Sequence, residues 1–298
     1  MIDGFALIDK DQGWTSHDVV ARLRRLYGQK RVGHAGTLDP MATGVLIVGL
    51  GHATRLLRFV QGQDKTYEAT IRLGQATVTD DAEGEITHSP GWEWDPAGLS
   101  TAIAALTGDI MQAPSKVSAI KVDGVRSYKR VWDGDEVTLA ARPVTVRRFE
   151  MVGAPRPGVE QPIVDIDVVV TCSSGTYIRA LARDLGEALQ SAGHLTALRR
   201  TAIGAVQVQE CDRLGEQAPP VVGAAQVLSR LMTSVVVSAD QAVDLGYGRA
   251  ISVSGRGLRA AIDGRGQLVA VLRCQEGMAK VEVNLGGQSA SRRAGDPD

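Results

Sequence analysis

The sequence predicts an α+β fold in which a mixed sheet with helices is followed by a smaller β-rich module. Strand-like and helix-like segments follow one another without a regular strand–helix–strand repeat, and several neighbouring strands are arranged as in hairpins. After Pro219–Pro220 the composition shifts to short β-like pieces that glycines separate at close spacing. The length of 298 residues is enough for about two domains.

The first predicted element is a strand, GFALIDK, that ends at a turn around Gly13. Ser16 is the expected N-cap of a helix over 17–27, because apolar residues recur there at helical spacing. A buried strand is expected over 45–50. Residues 67–73 alternate between apolar and polar, so one face of that strand, with Tyr67 at its start, should be buried.

The remaining elements follow from the same patterns. The acidic segment 79–96 is expected to be a loop, and a helix is expected near 97–106. Strands are expected near 117–122, 144–151 and 163–172, then an amphipathic helix over 176–190 and a return to the sheet over 198–208. A helix near 224–232 precedes the β-rich module. We therefore predict domains over 1–232 and 233–285, with a disordered tail over 286–298 that lacks apolar residues.

Composition excludes several classes of protein. No apolar run approaches the ~20 residues of a membrane helix, and the N-terminal stretch has too short an apolar core for a signal peptide. The three cysteines are far apart and fit neither a disulfide framework nor a paired-cysteine metal site. We therefore expect a cytoplasmic protein with no metal and no other cofactor.

The segment GHAGTLDPMATG at 33–44 is the most informative part of the chain. It is not a Walker A loop, because it lacks the Gly-Lys-Ser/Thr ending. Its glycines allow close approach of backbone to a ligand, and Pro40 restricts Asp39 to an extended conformation that presents the side chain from a loop. The residues alone leave two interpretations open. Asp39 is a functional carboxylate, or it caps a helical turn that begins at Pro40.

This segment resembles the GHTGTLDPxATGxL motif of the TruB-type tRNA pseudouridine synthases, with Ala35 in place of the usual Thr. Further matches follow in the order of that family: GWTS at 13–16, KTY at 65–67, SAIK at 118–121, GTYIR at 175–179 and LRR at 198–200. Asp11 stands where the family has a proline, and WDG at 132–134 replaces its Ala-Arg-x-Gly.

The resemblance implies a pseudouridine-synthase fold and the isomerisation of uridine 55 in the T-loop of tRNA. That reaction breaks the glycosidic N–C bond, turns the flipped-out uracil and rejoins it through C5. One carboxylate can act as a nucleophile or as a base at the sugar, without a redox cofactor or a metal. Both roles stay open for Asp39.

By the same resemblance Asp39, Tyr67 and Arg179 are expected to be catalytic. Arg179 lies at the edge of the apolar stripe of its predicted helix, and a cation there would keep a pocket carboxylate ionised. We therefore expect Arg179 to contact Asp39. Tyr67 is expected to lie against the flipped uracil.

Four further residues are expected to bind the substrate. His34 would occupy the gap that the extruded base leaves. Tyr177 and Leu198 would line the pocket by their place in the motifs, and Lys10 would contact a phosphate. The basic residues Arg22, Arg24, Arg25, Lys30 and Arg31 are candidates for further phosphate contacts, although the net charge of the chain is −1.

The family also implies two larger RNA-binding features. Segment 112–150 would be an insertion that closes over the RNA, and the C-terminal module resembles a PUA-type RNA-binding domain. The expected partner is the T-arm stem-loop of tRNA, with no membrane and no obligate protein partner. Three alternatives stay open: a non-catalytic tRNA-folding chaperone, a synthase acting on rRNA like the dyskerin relatives, and a simple α/β binding domain.

Overall fold

The computed structural model describes residues 1–115, 121–122, 125–126, 139–158 and 162–285. The strands are β1 (Gly4–Lys10), β2 (Val32–Ala35), β3 (Thr43–Leu50), β4 (Lys65–Leu73), β5 (Ala76–Thr77), β6 (Ile86–His88), β7 (Gly108–Gln112), β8 (Lys121–Val122), β9 (Val125–Arg126), β10 (Arg142–Pro157), β11 (Val164–Cys172), β12 (Gly193–Ile203), β13 (Val206–Gln207), β14 (Ser234–Val236), β15 (Ile251–Ser252), β16 (Gly257–Ile262), β17 (Leu268–Gln275) and β18 (Met278–Asn284). The helices are α1 (Ser16–Leu26), α2 (Leu57–Gln61), α3 (Pro96–Ala105), α4 (Ile178–Ala188), α5 (Ala224–Leu231) and α6 (Ala239–Gly246).

A nine-stranded mixed sheet forms the main body. Its strand order is β1-β3-β12-β4-β11-β10-β7, with β2 beside β3 and β13 beside β12. β12 pairs in parallel with β3 and antiparallel with β4, so it joins the two halves of the sheet. The predicted α+β class is confirmed.

One face of this sheet is buried under α4 and α3. β4 and β11 alternate buried and more exposed residues along their length, as the sequence predicted for the residues from Tyr67 onward. α4 contributes the stripe predicted for it, in which Ile178, Leu181 and Leu185 are buried. Burial of a side chain of this size stabilises the fold by roughly 1.5–3 kcal/mol. The loop that contains Asp39 packs on the same core through Leu38 and Met41.

Two sequence-based predictions are wrong in detail. Thr15, not Ser16, is the N-cap of α1, because Thr15 and Asp18 form a reciprocal capping box. Ser16 is the first helical residue and is buried. The segment 79–96 is not all loop, since β6 lies within it and pairs with β5.

The C-terminal module is a five-stranded sheet of order β14-β16-β17-β18-β15 with α6 packed against it. The sequence predicted its β-rich character but not α6. One hydrophobic cluster contains Val271 and Val283 of this module together with Phe5 and Val45 of the main body. At the same junction Arg58 pairs with Glu282 at 3.2 Å. The two parts therefore share a core.

The insertion predicted over 112–150 overlaps strands of the main sheet at both ends. β7 and β10 are neighbours in the main sheet, so only residues between Gln112 and Arg142 can leave it. Most of that segment, and the tail over 286–298, lie outside the described residues. Among the helices that the structure describes, none is long and apolar enough to span a bilayer.

Candidate active site

The Asp39 loop, residues 36–42, connects β2 to β3 and is fixed by side chains from other elements. Buried Ser16 at the start of α1 accepts a hydrogen bond from the amide of Leu38 at 2.9 Å. Its hydroxyl lies 3.2 Å from the carbonyl oxygen of the same residue. The amide of Gly13 donates to the carbonyl of Pro40 at 2.8 Å. The residues on both sides of Asp39 are therefore fixed by the turn before α1.

Lys10 supports the same loop from beneath. Its side chain is 1% exposed, and its ammonium donates to the carbonyls of Asp11, Trp14 and Pro40 at 3.0, 2.6 and 3.3 Å. An ammonium has three donors, and these three carbonyls use them. The phosphate contact predicted for Lys10 stays a prediction. Burial lowers the pKa of Lys10, and Asp39 opposes that shift.

Arg200 on β12 holds the other end of the loop. Its guanidinium is buried and donates to the carbonyls of Gly36 at 3.0 Å and Val45 at 2.8 Å. Gly44 has φ +101°, and a Cβ on it would overlap the carbonyl oxygen of Arg200. Only glycine lets β3 and β12 approach so closely here.

Asp39 contacts Arg179, as the sequence predicted. Nε of Arg179 lies 3.0 Å from Oδ2 of Asp39, without the alignment of a hydrogen bond. The other arm of the guanidinium donates to the carbonyl of Thr79 at 2.8 Å and lies 3.4 Å from Oδ2 of Asp81. The guanidinium of Arg179 is thus shared between two carboxylates and does not bind either of them through two parallel hydrogen bonds.

Asp81 gives the site a second, deeper carboxylate. Its side chain is 4% exposed, compared with 37% for Asp39. Burial and the nearby carboxylates of Asp81 and Asp39 raise the pKa of Glu83, which lies on the same loop. Arg179 therefore compensates a locally negative region, and one side of that region opens to solvent at Asp39.

A cavity of about 340 Å³ opens beside this ion pair. It is lined by residues of the Asp39 loop, β4, the start of α4 and β12: Gly36, Asp39, Lys65, Tyr67, Arg142, Tyr177, Arg179 and Arg200, among others. Buried Gln112 fixes the wall by bonding both the amide and the carbonyl of Tyr177, at 2.9 and 3.1 Å. Four predicted site residues, Asp39, Tyr67, Tyr177 and Arg179, thus share one cavity.

Tyr67 and Tyr177 differ in their surroundings. Tyr67 is buried beside Arg200, and burial raises the pKa of its phenol. The phenol therefore stays protonated at neutral pH. The ring of Tyr177 has the guanidinium of Arg142 over it, 5.0 Å from the centroid, and Arg142 also donates to the carbonyl of Gly175 at 2.6 Å. A cation and an aromatic face thus lie together at the mouth of the cavity.

His34 and Leu198 lie near this cavity but, among the described residues, are not part of its lining. His34 is on β2, edge-on to His17 with 5.5 Å between ring centroids. Burial, His17 and Arg200 lower its pKa. Leu198 belongs to the same hydrophobic cluster as Tyr67. The roles predicted for both residues stay predictions.

The sequence did not identify Asp81, Lys65 or Arg200 as parts of the site. Lys65 precedes Tyr67 by two residues on β4, so both side chains lie on one face, and that spacing could have identified it. No local signal marks Asp81. Among the described residues no group of three or more His, Cys, Asp or Glu side chains is arranged to hold a metal ion.

Comparison with known proteins gives consistent matches over both parts of the chain. Residues 24–178 match the N-terminal domain of the TruB family of pseudouridylate synthases. Residues 232–286 match the C-terminal domain described as that of tRNA pseudouridine synthase II. A protein of Arthrobacter sp. (strain FB24) named tRNA pseudouridine synthase B is 52% identical, over 94% of this chain and 95% of that one. The protein of that name from Thermobifida fusca (strain YX) is also 52% identical, over 86% and 88%.

Solved structures are similar in fold. A Cbf5–Nop10–Gar1 complex matches with a TM-score of 0.68 at 22% identity, covering 94% of this chain and 83% of that chain. An H/ACA RNP bound to a substrate RNA containing 2′-deoxyuridine matches with a TM-score of 0.67 at 21% identity, covering 94% and 84%. At such identities the likeness concerns the fold alone. Together with the sequence relatives, it leads to one conclusion: the chain belongs to the TruB family of pseudouridylate synthases.

Proposed function

We propose that this protein isomerises uridine 55 in the T-loop of tRNA to pseudouridine, with Asp39 as the essential carboxylate. One observation carries the proposal. Asp39, on the loop that bears the family motif, is ion-paired to a buried arginine at the wall of a cavity of about 340 Å³. The relatives at about half identity are named tRNA pseudouridine synthase B.

The geometry supports a division of labour in the cavity. Asp39 is the more exposed of the two carboxylates, so it is the one that can reach the sugar of a flipped uridine, as a nucleophile or as a base. Arg179 pairs with it and holds it in position. Tyr67 would lie against the uracil, and Tyr177 with Arg142 would contact the nucleotide at the cavity mouth.

The proposed partner is the T-arm stem-loop, and no obligate protein partner is proposed. Two further parts would bind RNA: the insertion predicted over 112–150, and the module over 233–285 as a PUA-like domain that follows a catalytic domain over 1–232. In addition, we propose that the protein acts in the cytoplasm, where a tRNA substrate would be available.

Release of tritium tests the reaction directly. A T-arm stem-loop whose target uridine carries tritium at C5 loses the label only if a bond forms at C5. The wild type should release it, and Asp39→Asn should bind the stem-loop with similar affinity but release none, because an amide is neither base nor useful nucleophile. An Asp39→Asn protein that retains a tenth of wild-type turnover would remove Asp39 from the centre of the mechanism.

A further inference from the structure

Lys65 is a buried cation in the cavity with one hydrogen-bond donor unused. Its side chain lies on β4 on the same face as Tyr67 and is 6% exposed. The ammonium donates to the carbonyl of Gln61 at 2.9 Å and of Gln63 at 2.7 Å. An ammonium has three donors. Among the described residues these two carbonyls are its hydrogen-bond acceptors, so the third donor can serve a molecule in the cavity.

Lys10 is a second buried lysine, and it differs from Lys65 in how many of its donors are used. Its ammonium uses three carbonyls, and it does not line the cavity as the structure describes it. Burial and the nearby charge of Arg200 on β12 lower the pKa of Lys65 to about 8, against the opposing effects of Cys172 on β11 and of Asp64. A cation that is costly to bury thus lines the same cavity as Asp39 and Tyr67.

The reaction proposed above creates a charge that needs such a donor. When the C1′–N1 bond breaks, its electron pair stays on the uracil, whose negative charge spreads over N1 and the two carbonyl oxygens, O2 and O4. C5 then bonds to C1′, the proton on C5 is lost and N1 is protonated, so the product is an isomer. Placed donors are most effective where charge develops during a reaction. In either of its roles Asp39 acts at the sugar, where it makes up for the electron pair that C1′ loses, so another group has to donate to these oxygens.

We propose that Lys65 donates its third N–H to a carbonyl oxygen of the uracil and stabilises the uracil anion formed when the glycosidic bond breaks. Lys65 is then a catalytic residue in addition to Asp39. This inference rests on the proposed function, because it assigns a role within the same reaction.

The leaving ability of the base provides the test. 5-Fluorouracil is a more stable anion than uracil and needs less help to leave. Stem-loops with uridine or 5-fluorouridine at the target position are compared at pH 6.5 in single turnover, with the disappearance of the original nucleoside followed by chromatography. Lys65→Met should slow uridine cleavage about 100-fold, the cost of losing one such donor, and slow 5-fluorouridine cleavage far less. Affinity for the stem-loop should change little.

Lys10→Met is the matched control, because it also removes a buried lysine beneath the site. It should slow both substrates by one common factor, as misplacement of Asp39 would. Equal factors for the two substrates in Lys65→Met, or a loss confined to RNA affinity, would overturn the proposal. Should Lys65→Met not fold, Lys65→Gln decides, since it keeps two N–H donors for the same carbonyls without the charge. A wild type that cleaves neither substrate would instead overturn the proposed function itself.

The pH dependence supplies a second readout. With its pKa at about 8, Lys65 is a cation below that pH and neutral above it, so its contribution is present at neutral pH and lost as the pH rises. The ratio of wild-type to Lys65→Met rates on uridine should therefore fall as the pH passes through about 8. A ratio that stays constant from neutral pH to well above 8 contradicts a role for the charge.

Discussion

At the scale of single residues, one guanidinium of Arg179 serves three groups: it forms ion pairs with Asp39 and Asp81 and donates to the carbonyl of Thr79. A lysine carries a single point of charge and cannot span them. Arg179→Lys should therefore bind RNA almost normally and turn over about 100-fold more slowly, at the lower end of the range for the loss of one active-site donor. Single-turnover rates together with RNA affinities measure both effects.

A double-mutant cycle separates the pair from a general effect of Arg179. Once Asp39 is Asn, changing Arg179 to Lys should cost little further activity, because the interaction is already gone. Any residual rate is compared at equal saturation with RNA. If the two substitutions instead lower the rate by independent factors that multiply, Arg179 contributes to the reaction through a group other than Asp39.

Asp81 offers a related prediction, since it lies buried against the same guanidinium. Asp81→Asn keeps the shape but removes the charge, so Arg179 should turn further toward Asp39 and activity should fall by about tenfold. Loss of one partner of a buried ion pair typically lowers the free energy of unfolding by about 3–5 kcal/mol. Urea unfolding measures the loss in this variant. Glu83→Gln, on the same loop but exposed, is the control and should change stability far less.

At the scale of elements, the segments with clear periodicity were predictable and their contacts were not. The alternation in β4 and the apolar stripe of α4 predicted their buried faces, and the family resemblance placed Asp39 against Arg179. The hydrogen bonds that fix the Asp39 loop, here called the clamp, were not predictable. The side chains of Ser16, Lys10 and Arg200 form them with backbone groups of the loop. Such bonds depend on how the chain folds back and leave no pattern in the residues near the loop.

Gly44 tests that clamp. Gly44→Ala should destabilise the protein strongly and lower turnover, because its φ is +101° and the new Cβ would push β12 and Arg200 away from the loop. Gly108→Ala is the matched control: its φ is +98°, with nothing within 4 Å of the new Cβ. The two variants share the strain of a left-handed backbone, roughly 1–2 kcal/mol. Their difference in chemical unfolding isolates the close approach, and equal losses would mean that β3 and β12 can separate freely.

At the scale of the whole molecule, the shared core between the main body and the C-terminal module predicts cooperative unfolding. The cluster contains Val271 beside residues of β1 and β3, so weakening the module should weaken the whole protein. Val271→Ala should lower the midpoint of one calorimetric transition, with a loss of about 2 kcal/mol in the free energy of unfolding for two deleted carbons and the small cavity. Two separated transitions, of which only one moves, would show that the parts fold independently.

The position of β12 has a consequence for the protein during its own synthesis. β12 is late in the chain but central in the sheet, where it lies between β3 and β4 and pairs with both in the part of the chain that the structure describes. A nascent chain whose residues 193–203 are still inside the ribosome therefore has two half-sheets. One carries the Asp39 loop and the other carries Tyr67. The pairing of β12 is long-range and comes last. Until Arg200 has left the ribosome, the growing chain carries Asp39 without one wall of the cavity that surrounds it.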